Sequence, residues 1–126
     1  MSGICTEWPP GSPRILVVDG WLANAGDGAI ALATAARLKR LAPSASVLVA
    51  AYQGDRLKGE YPELPLVPPL AALLGVMPGE LERLGWPRQP ALELVLDADG
   101  ILSQGGGFLY EHYGADSKAR QLLRRP

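Results

Sequence analysis

Residues 14–30 read RILVVDGWLANAGDGAI, and this stretch decides the fold. The run at 14–19 is aliphatic and β-branched without alternation, a pattern typical of a strand that is buried on both faces of a parallel sheet. Gly20 ends the strand. The short polar and glycine-rich segment that follows predicts a turn between the strand and a helix.

A helix is predicted over 27–41, where Ile30, Thr34, Leu38 and Leu41 recur at helical spacing. Asp27 is a candidate N-cap, and Pro43 stops the helix. A second strand is predicted over 46–52. Strand, helix and strand in succession predict two parallel neighbours joined by a right-handed crossover.

The remainder of the chain is harder to interpret because it is rich in proline. We expect a short third strand over 64–67 and a short buried strand over 100–103. Short helices are predicted over 70–74, 80–84 and 91–98.

Composition narrows the class of protein. A chain of 126 residues with 48% hydrophobic and 20% charged residues is ordinary for one globular domain. The net charge of −1 gives no basic patch for nucleic acid. With a single cysteine and a single histidine, the chain has no intrachain disulfide or multi-histidine metal cluster, so no metal is expected.

Neither a membrane-spanning segment nor a secretory signal is recognisable in the sequence. No apolar run approaches the roughly 20 residues that span a bilayer, so no membrane span is expected. Residues 1–10 lack a basic start followed by an apolar block, so a cytoplasmic location is expected. Residues 1–13 are rich in Pro, Gly and Ser, which predicts a flexible leader before a domain over 14–126.

The first bend, residues 20–30, lies between a strand end and a helix start, where free backbone N–H groups and the helix dipole favour an anion. Gly26 and Gly28 permit close approach, and Asn24 and Asp27 can fix the loop by hydrogen bonds. Trp21 is a candidate to stack on a sugar ring. The alternative is that these residues only build a turn and cap a helix. The segment has neither the glycine spacing of a dinucleotide-binding fingerprint nor that of a P-loop.

The second bend, residues 98–109, reads ADGILSQGGGFL. Three consecutive glycines after a strand cost backbone entropy of roughly 1 kcal/mol each. A plain turn needs one or two glycines. The additional glycine indicates close approach of a substrate or of another backbone at Gly105, Gly106 and Gly107. A flexible hinge is the alternative.

With both bends in view, the chain resembles the amino-terminal half of the polysaccharide pyruvyl transferase family. That family pairs a Gly-aromatic…Asn-x-Gly-Asp-x-Ala-Ile loop with a later Asp-x-(two apolar)-x-x-Gly-Gly-Gly-x-Leu strand and turn. The matching residues are Gly20, Trp21, Asn24, Gly26, Asp27, Ala29 and Ile30, then Asp99, Ile101, Leu102, Gly105, Gly106, Gly107 and Leu109. Ala23 departs from the pattern, because many members carry a glycine there.

The resemblance implies a Rossmann-like α/β fold with a mostly parallel sheet, similar to one half of a GT-B-type two-domain architecture. It implies transfer of a pyruvyl group from phosphoenolpyruvate to a sugar of a surface polysaccharide or exopolysaccharide, with no other cofactor. The substrate-binding residues would be Trp21, Asn24, Gly26, Asp27 and Gly105 to Gly107.

The cations that hold phosphoenolpyruvate in the family lie mainly in the second half. We therefore expect a truncated domain that is inactive alone. A separate carboxyl-terminal half or self-association would complete it. Two alternatives stay open, namely a non-catalytic binding or assembly module and a degenerate fragment.

The catalytic residues are unknown from sequence. His112 is a candidate acid or base, since histidine titrates near neutral pH, and Glu111 beside it is another. The alternative for His112 is a surface or capping role.

Overall fold

Residues 5–104, the part of the chain that the computed structural model describes, contain four parallel strands in the order β3-β2-β1-β4. The strands are β1 (Arg14–Trp21), β2 (Ser46–Tyr52), β3 (Leu66–Val67) and β4 (Gly100–Ser103). The helices are α1 (Ala25–Leu41), α2 (Gly54–Leu57), α3 (Leu70–Leu73), α4 (Pro78–Leu84) and α5 (Arg88–Leu96), with a 3₁₀ turn at Lys58–Glu60. The predicted α/β fold, a Rossmann-like parallel sheet with flanking helices, is confirmed.

The strand β1 lies inside the sheet, with β2 on one side and β4 on the other. Leu16 pairs with Leu48 of β2 on one side and with Ile101 of β4 on the other. The chain first runs outward through β2 to β3 and then returns to place β4 beside β1. This reversal of strand order is the point where ligands bind in open α/β sheets.

Both faces of β1 are covered, as its unbroken apolar run predicts. Leu16 and Val17 are fully buried and belong to two different core clusters. Val17 lies on the face where α1 packs through Ala31. Leu16 lies on the other face, against residues of α3, α4 and α5 such as Leu73 and Leu94.

Helix α1 packs through a stripe that shares only Leu38 with the predicted one, and the prediction is confirmed for that residue. The packed stripe is rich in alanine: Ala31 is buried, and Leu32, Ala35 and Leu38 are partly buried against the same core cluster. By contrast, Ile30 is 37% and Leu41 70% exposed. Small side chains allow the helix to approach the sheet closely, so the alanines set which face is buried.

The proline-rich part follows the prediction in outline. The third strand is two residues long instead of four, and the three short helices are present. Pro78 opens α4 because a proline at the first helical position loses no hydrogen bond. Arg88 opens α5, three residues earlier than predicted.

The strand β4 was predicted as buried, and this is wrong. Ile101 is 53% and Leu102 41% exposed. Within residues 5–104, β4 lies at the end of the sheet and pairs only with β1. Its apolar residues therefore form a strand, but they lack the cover on both faces that β1 has.

The described part of the predicted leader makes specific contacts. Trp8 packs on the core and its Nε1–H donates to the Leu94 carbonyl at 2.9 Å. The Cys5 N–H donates to the Leu66 carbonyl at 2.7 Å, and the Ser46 hydroxyl donates to the Pro9 carbonyl at 2.6 Å. Burial raises the pKa of the Cys5 thiol. These contacts attach residues 5–9 to β2, β3 and α5.

Candidate functional site

The carboxyl ends of β1 and β4 lie side by side, because the two strands are parallel neighbours. Val18 pairs with Ser103, so Asp19 and Gln104 follow the last paired positions of their strands. The first bend and the residue that precedes the glycine triplet thus reach the same edge of the sheet. This edge is the candidate functional site.

Asp19 has an unusual backbone at this edge. Its φ of 69° is in the left-handed region, and the register of β1 against β2 shifts between Val17 and Gly20. Aspartate tolerates this region better than most side chains do, at a cost of order 1–3 kcal/mol. The bulge turns the exposed Asp19 carboxylate toward β4, where Oδ2 accepts a hydrogen bond from the Ser103 hydroxyl at 2.6 Å.

Gln104 joins the two bends. Its backbone N–H donates to the Val18 carbonyl at 3.1 Å, and its side-chain Nε2 donates to the Asp27 carbonyl at 3.1 Å. A Cβ on Gly20 would lie 3.2 Å from Gln104 Oε1, so the glycine leaves room for this side chain. Gln104 Oε1 is buried and has no hydrogen-bond partner among the residues that the structure describes.

Asn24, a predicted binding residue, caps α1. Its Oδ1 accepts from the Gly26 N–H at 2.9 Å, and its carbonyl accepts from the Gly28 N–H at 3.0 Å. The helix begins at Ala25, so the prediction that Asp27 is the N-cap is wrong. Asparagine is favoured at this position because its short side chain reaches back to the free N–H groups. Gly26, also predicted to bind substrate, is exposed and takes part in this cap.

Gly28 has a packing role. A Cβ there would lie 2.1 Å from the Tyr61 hydroxyl oxygen and 2.6 Å from the ring carbon that carries it. The Tyr61 hydroxyl also donates to the Leu22 carbonyl at 3.4 Å. The close approach that the sequence predicted is therefore made by an aromatic ring of the same chain.

Asp27 lies in the first turn of α1 and is only 8% exposed. Within residues 5–104 its carboxylate receives no hydrogen bond, while its carbonyl accepts from Gln104. A carboxylate in the first helical turn is favoured by the helix dipole.

Trp21, predicted as a sugar-stacking residue, ends β1 opposite Tyr52, the last residue of β2. The two rings stack with centroids 5.1 Å apart and planes inclined by 27°. Trp21 is 49% exposed. The Tyr52 hydroxyl lies 3.9 Å from Met77 Sδ, at the start of α4.

Arg83 of α4 pairs with Asp55, which follows the end of β2 by three residues. Its guanidinium donates to both Asp55 oxygens, at 2.6 and 3.0 Å, and also pairs with Glu80. These hydrogen bonds hold the pKa of the Asp55 carboxyl below its ordinary value. The pair ties α2 to α4, so Arg83 is not a ready anion ligand.

Other predicted residues lie outside the described part or away from the site. Gly105, Gly106, Gly107, Glu111 and His112 fall outside residues 5–104. Asp99, part of the second motif, lies at the opposite end of β4, where its Oδ2 accepts from the Arg14 N–H at 2.8 Å. Asp99 thus pins the start of β1 to the start of β4.

A separate groove of about 520 Å³ lies at the amino end of β2, between α1 and the residues that precede β3. Its lining includes Pro9, Leu32, Ser46 and Pro65. This groove is remote from the edge where β1, β2 and β4 end. It contains none of the predicted site residues.

Sequence reasoning missed Asp19, Tyr52 and Ser103. A charged residue that interrupts an apolar run directly before a glycine was the available signal for Asp19. Nothing local marks Tyr52 or Ser103, since both reach the site through pairing with β1.

Residues 5–104 show neither a helix long and apolar enough to cross a bilayer nor a cluster of three or more metal-ligating side chains. Comparison with protein-family models, curated proteins and solved structures finds no match for this chain.

Proposed function

We propose that this chain forms the amino-terminal, acceptor-side domain of a polysaccharide pyruvyl transferase-like protein, one half of a GT-B-type architecture. The proposal is supported chiefly by the link between the two motifs: Gln104, which directly precedes the glycine triplet, donates to Asp27 in the first bend. Gln104 and the first bend, which are 77 residues apart at this bond, thus meet at one edge of the sheet, where the strand order reverses.

The charge at this edge favours the acceptor role over the donor role. Phosphoenolpyruvate carries a phosphate and a carboxylate, which need several convergent cations. The exposed Asp19 carboxylate adds negative charge at this edge, and Arg83 is held by Asp55 and Glu80. In the proposed reaction a second, basic half binds phosphoenolpyruvate across the cleft. Two sugar hydroxyl oxygens bond to C2 of phosphoenolpyruvate to form a ketal, and the bond from C2 to the phosphate oxygen breaks. One hydroxyl proton goes to the methylene carbon, which becomes a methyl group, and the other leaves with the phosphate.

The test is reconstitution. The full 126-residue chain is co-expressed with an α/β half encoded downstream and incubated with phosphoenolpyruvate and sugar acceptors, and ketal formation is followed by NMR. We expect turnover with both halves and none with the chain alone. Turnover by the chain alone would disprove the need for a second half, and absence of turnover from every pairing would count against the transferase.

Two variants sharpen the test. Gln104→Ala removes the link between the bends and is expected to lower the turnover at least tenfold. Glu82→Gln, an exposed residue of α4, is the matched control and should leave turnover unchanged.

A second candidate function, an assembly module, is favoured by one observation. Ile101 and Leu102 are exposed on β4, at the end of the described sheet. Such a strand offers apolar side chains to a partner. Sedimentation of the chain alone tests this: a concentration-dependent dimer that Leu102→Lys abolishes supports the module, and a monomer at all concentrations contradicts self-association.

A further inference from the structure

An exposed aromatic ring with a fixed backing lies at the carboxyl edge of the sheet. Tyr52 stacks on one side of Trp21, and Trp21 remains 49% exposed. Tyr52 is itself fixed by the pairing of the two residues across β1 and β2 and by its contact with Met77. The result is a rigid apolar platform that faces solvent.

A carboxylate lies beside this platform. Asp19 precedes Trp21 by two residues, and both side chains are exposed while Gly20 between them is buried. Because a bulge interrupts the strand at Asp19, regular strand spacing does not apply, but the Cα atoms of residues two apart in a chain are at most about 7 Å apart. One sugar ring can bridge that distance. The Ser103 hydroxyl holds Oδ2 of Asp19, and the remaining lone pairs of the carboxylate can accept further hydrogen bonds.

We propose that Trp21 and Asp19 form a subsite for one neutral hexopyranose unit. The C–H face of the sugar stacks on the electron-rich face of the indole, and its hydroxyl groups donate to the Asp19 carboxylate. The assignment of this sugar as the acceptor rests on the proposed function, whereas the binding itself is a property of the described residues.

The charges select the class of sugar. The exposed Asp19 carboxylate repels a uronate or a sugar phosphate, and Arg83 is engaged by Asp55 and Glu80. A nucleotide also stacks on indole, but its phosphates would meet the same carboxylate. A neutral sugar combines an apolar ring face with hydroxyl donors, and this surface offers a partner for each.

The test uses the indole signals of the full, ¹⁵N-labelled chain. Trp8, Trp21 and Trp86 each give one Nε1–H resonance, and Trp21→Phe assigns the resonance of interest. Methyl gluco-, galacto- and mannopyranosides are added to millimolar concentrations, the range expected for a single-ring subsite. We expect at least one of them to shift the Trp21 signal saturably. Trp8, bonded to Leu94, and the buried Trp86 are internal controls that should not move.

Variants test each half of the subsite by saturation transfer to the sugar. Trp21→Ala is expected to weaken binding about tenfold or more, and Asp19→Asn about three- to tenfold. Leu102→Ser, a substitution of an exposed residue on β4, should bind as the unmodified chain does. Sorbitol, which has hydroxyl groups but no ring face, should not shift the Trp21 signal.

Several results would overturn the inference: an unmoved Trp21 signal with every sugar, equal shifts of all three indoles, a shift with sorbitol, or tighter saturation by adenosine or uridine monophosphate. The outcome is separable from that of the reconstitution. Pyruvyl transfer without sugar binding at Trp21 would reject the subsite and support the transferase function. Sugar binding at Trp21 without pyruvyl transfer would support the subsite and count against the transferase function.

Discussion

Gly28 shows how a single residue in a ligand-like motif can serve packing. It lies inside α1, where alanine would be preferred by up to about 1 kcal/mol if space allowed. The Tyr61 ring occupies the place of the missing Cβ. The glycine and the tyrosine therefore form one structural unit that fixes the first bend against the chain after β2.

We predict that Gly28→Ala lowers the free energy of unfolding by about 1–3 kcal/mol, because the Tyr61 ring must move. Gly79→Ala is the matched control, since a Cβ at this helical glycine meets nothing within 4 Å. The control should be neutral or stabilising. Urea unfolding of the two variants measures both values, and a Gly28→Ala variant as stable as the Gly79→Ala variant would contradict the contact.

At the same scale, the two tryptophans Trp8 and Trp21 have different roles. Trp8 packs on the core and donates to Leu94, whereas Trp21 is half exposed. We expect Trp8→Ala to cost roughly 2–3 kcal/mol of unfolding free energy and Trp21→Ala about 1 kcal/mol, the latter from its stacking on Tyr52. Thermal unfolding followed by circular dichroism checks the order, and equal losses would contradict it.

At the scale of elements, Asp55 and Arg83 join α2 to α4 and give stability a pH dependence. The folded-state pKa of Asp55 lies below its ordinary value of 3.8, first because of the hydrogen bonds from Arg83. The pair therefore stabilises the fold fully above about pH 4, and this contribution is lost as the pH falls through the lower, folded-state pKa.

We predict that Arg83→Met lowers the unfolding free energy by about 1 kcal/mol at pH 7, the upper range for partly exposed pairs. The difference from the unmodified chain should shrink as the solution is acidified below the ordinary pKa of Asp55. Urea unfolding across the acid range measures this. Asp55→Asn should show the same trend, and a difference that grows on acidification would contradict the assignment.

At the scale of the whole molecule, burial is uneven across the sheet. The strands β1 and β2 carry the fully buried residues Leu16, Val17, Leu48 and Val49, whereas β4 exposes Ile101 and Leu102. A strand with little buried apolar surface opens locally at a lower free energy than the strands of the core do.

Native-state hydrogen exchange should therefore find the slowest amides in β1 and β2. The amides of β4 that pair with β1 should exchange at least tenfold faster, since they open without disrupting the two core clusters. Equal protection of Leu16 and Ile101, which are paired neighbours, would show that β4 belongs to the core.

The sequence alone determined the elements whose signals are local. The apolar run at 15–18 is sufficient to predict a buried parallel strand, and Pro43 marks the end of α1 because proline cannot continue a helix. The alanine-rich face of α1 was harder to predict, since alanine fits either a buried or an exposed position.

Only the tertiary structure decided what meets at the edge of the sheet. Asp19 and Ser103 are 84 residues apart, and Gln104 and Asp27 are 77 residues apart. Tyr61 reaches Gly28 across the crossover, and Tyr52 reaches Trp21 through strand pairing. Such contacts depend on strand order and register, which the packing of the whole core fixes and no short stretch of sequence encodes.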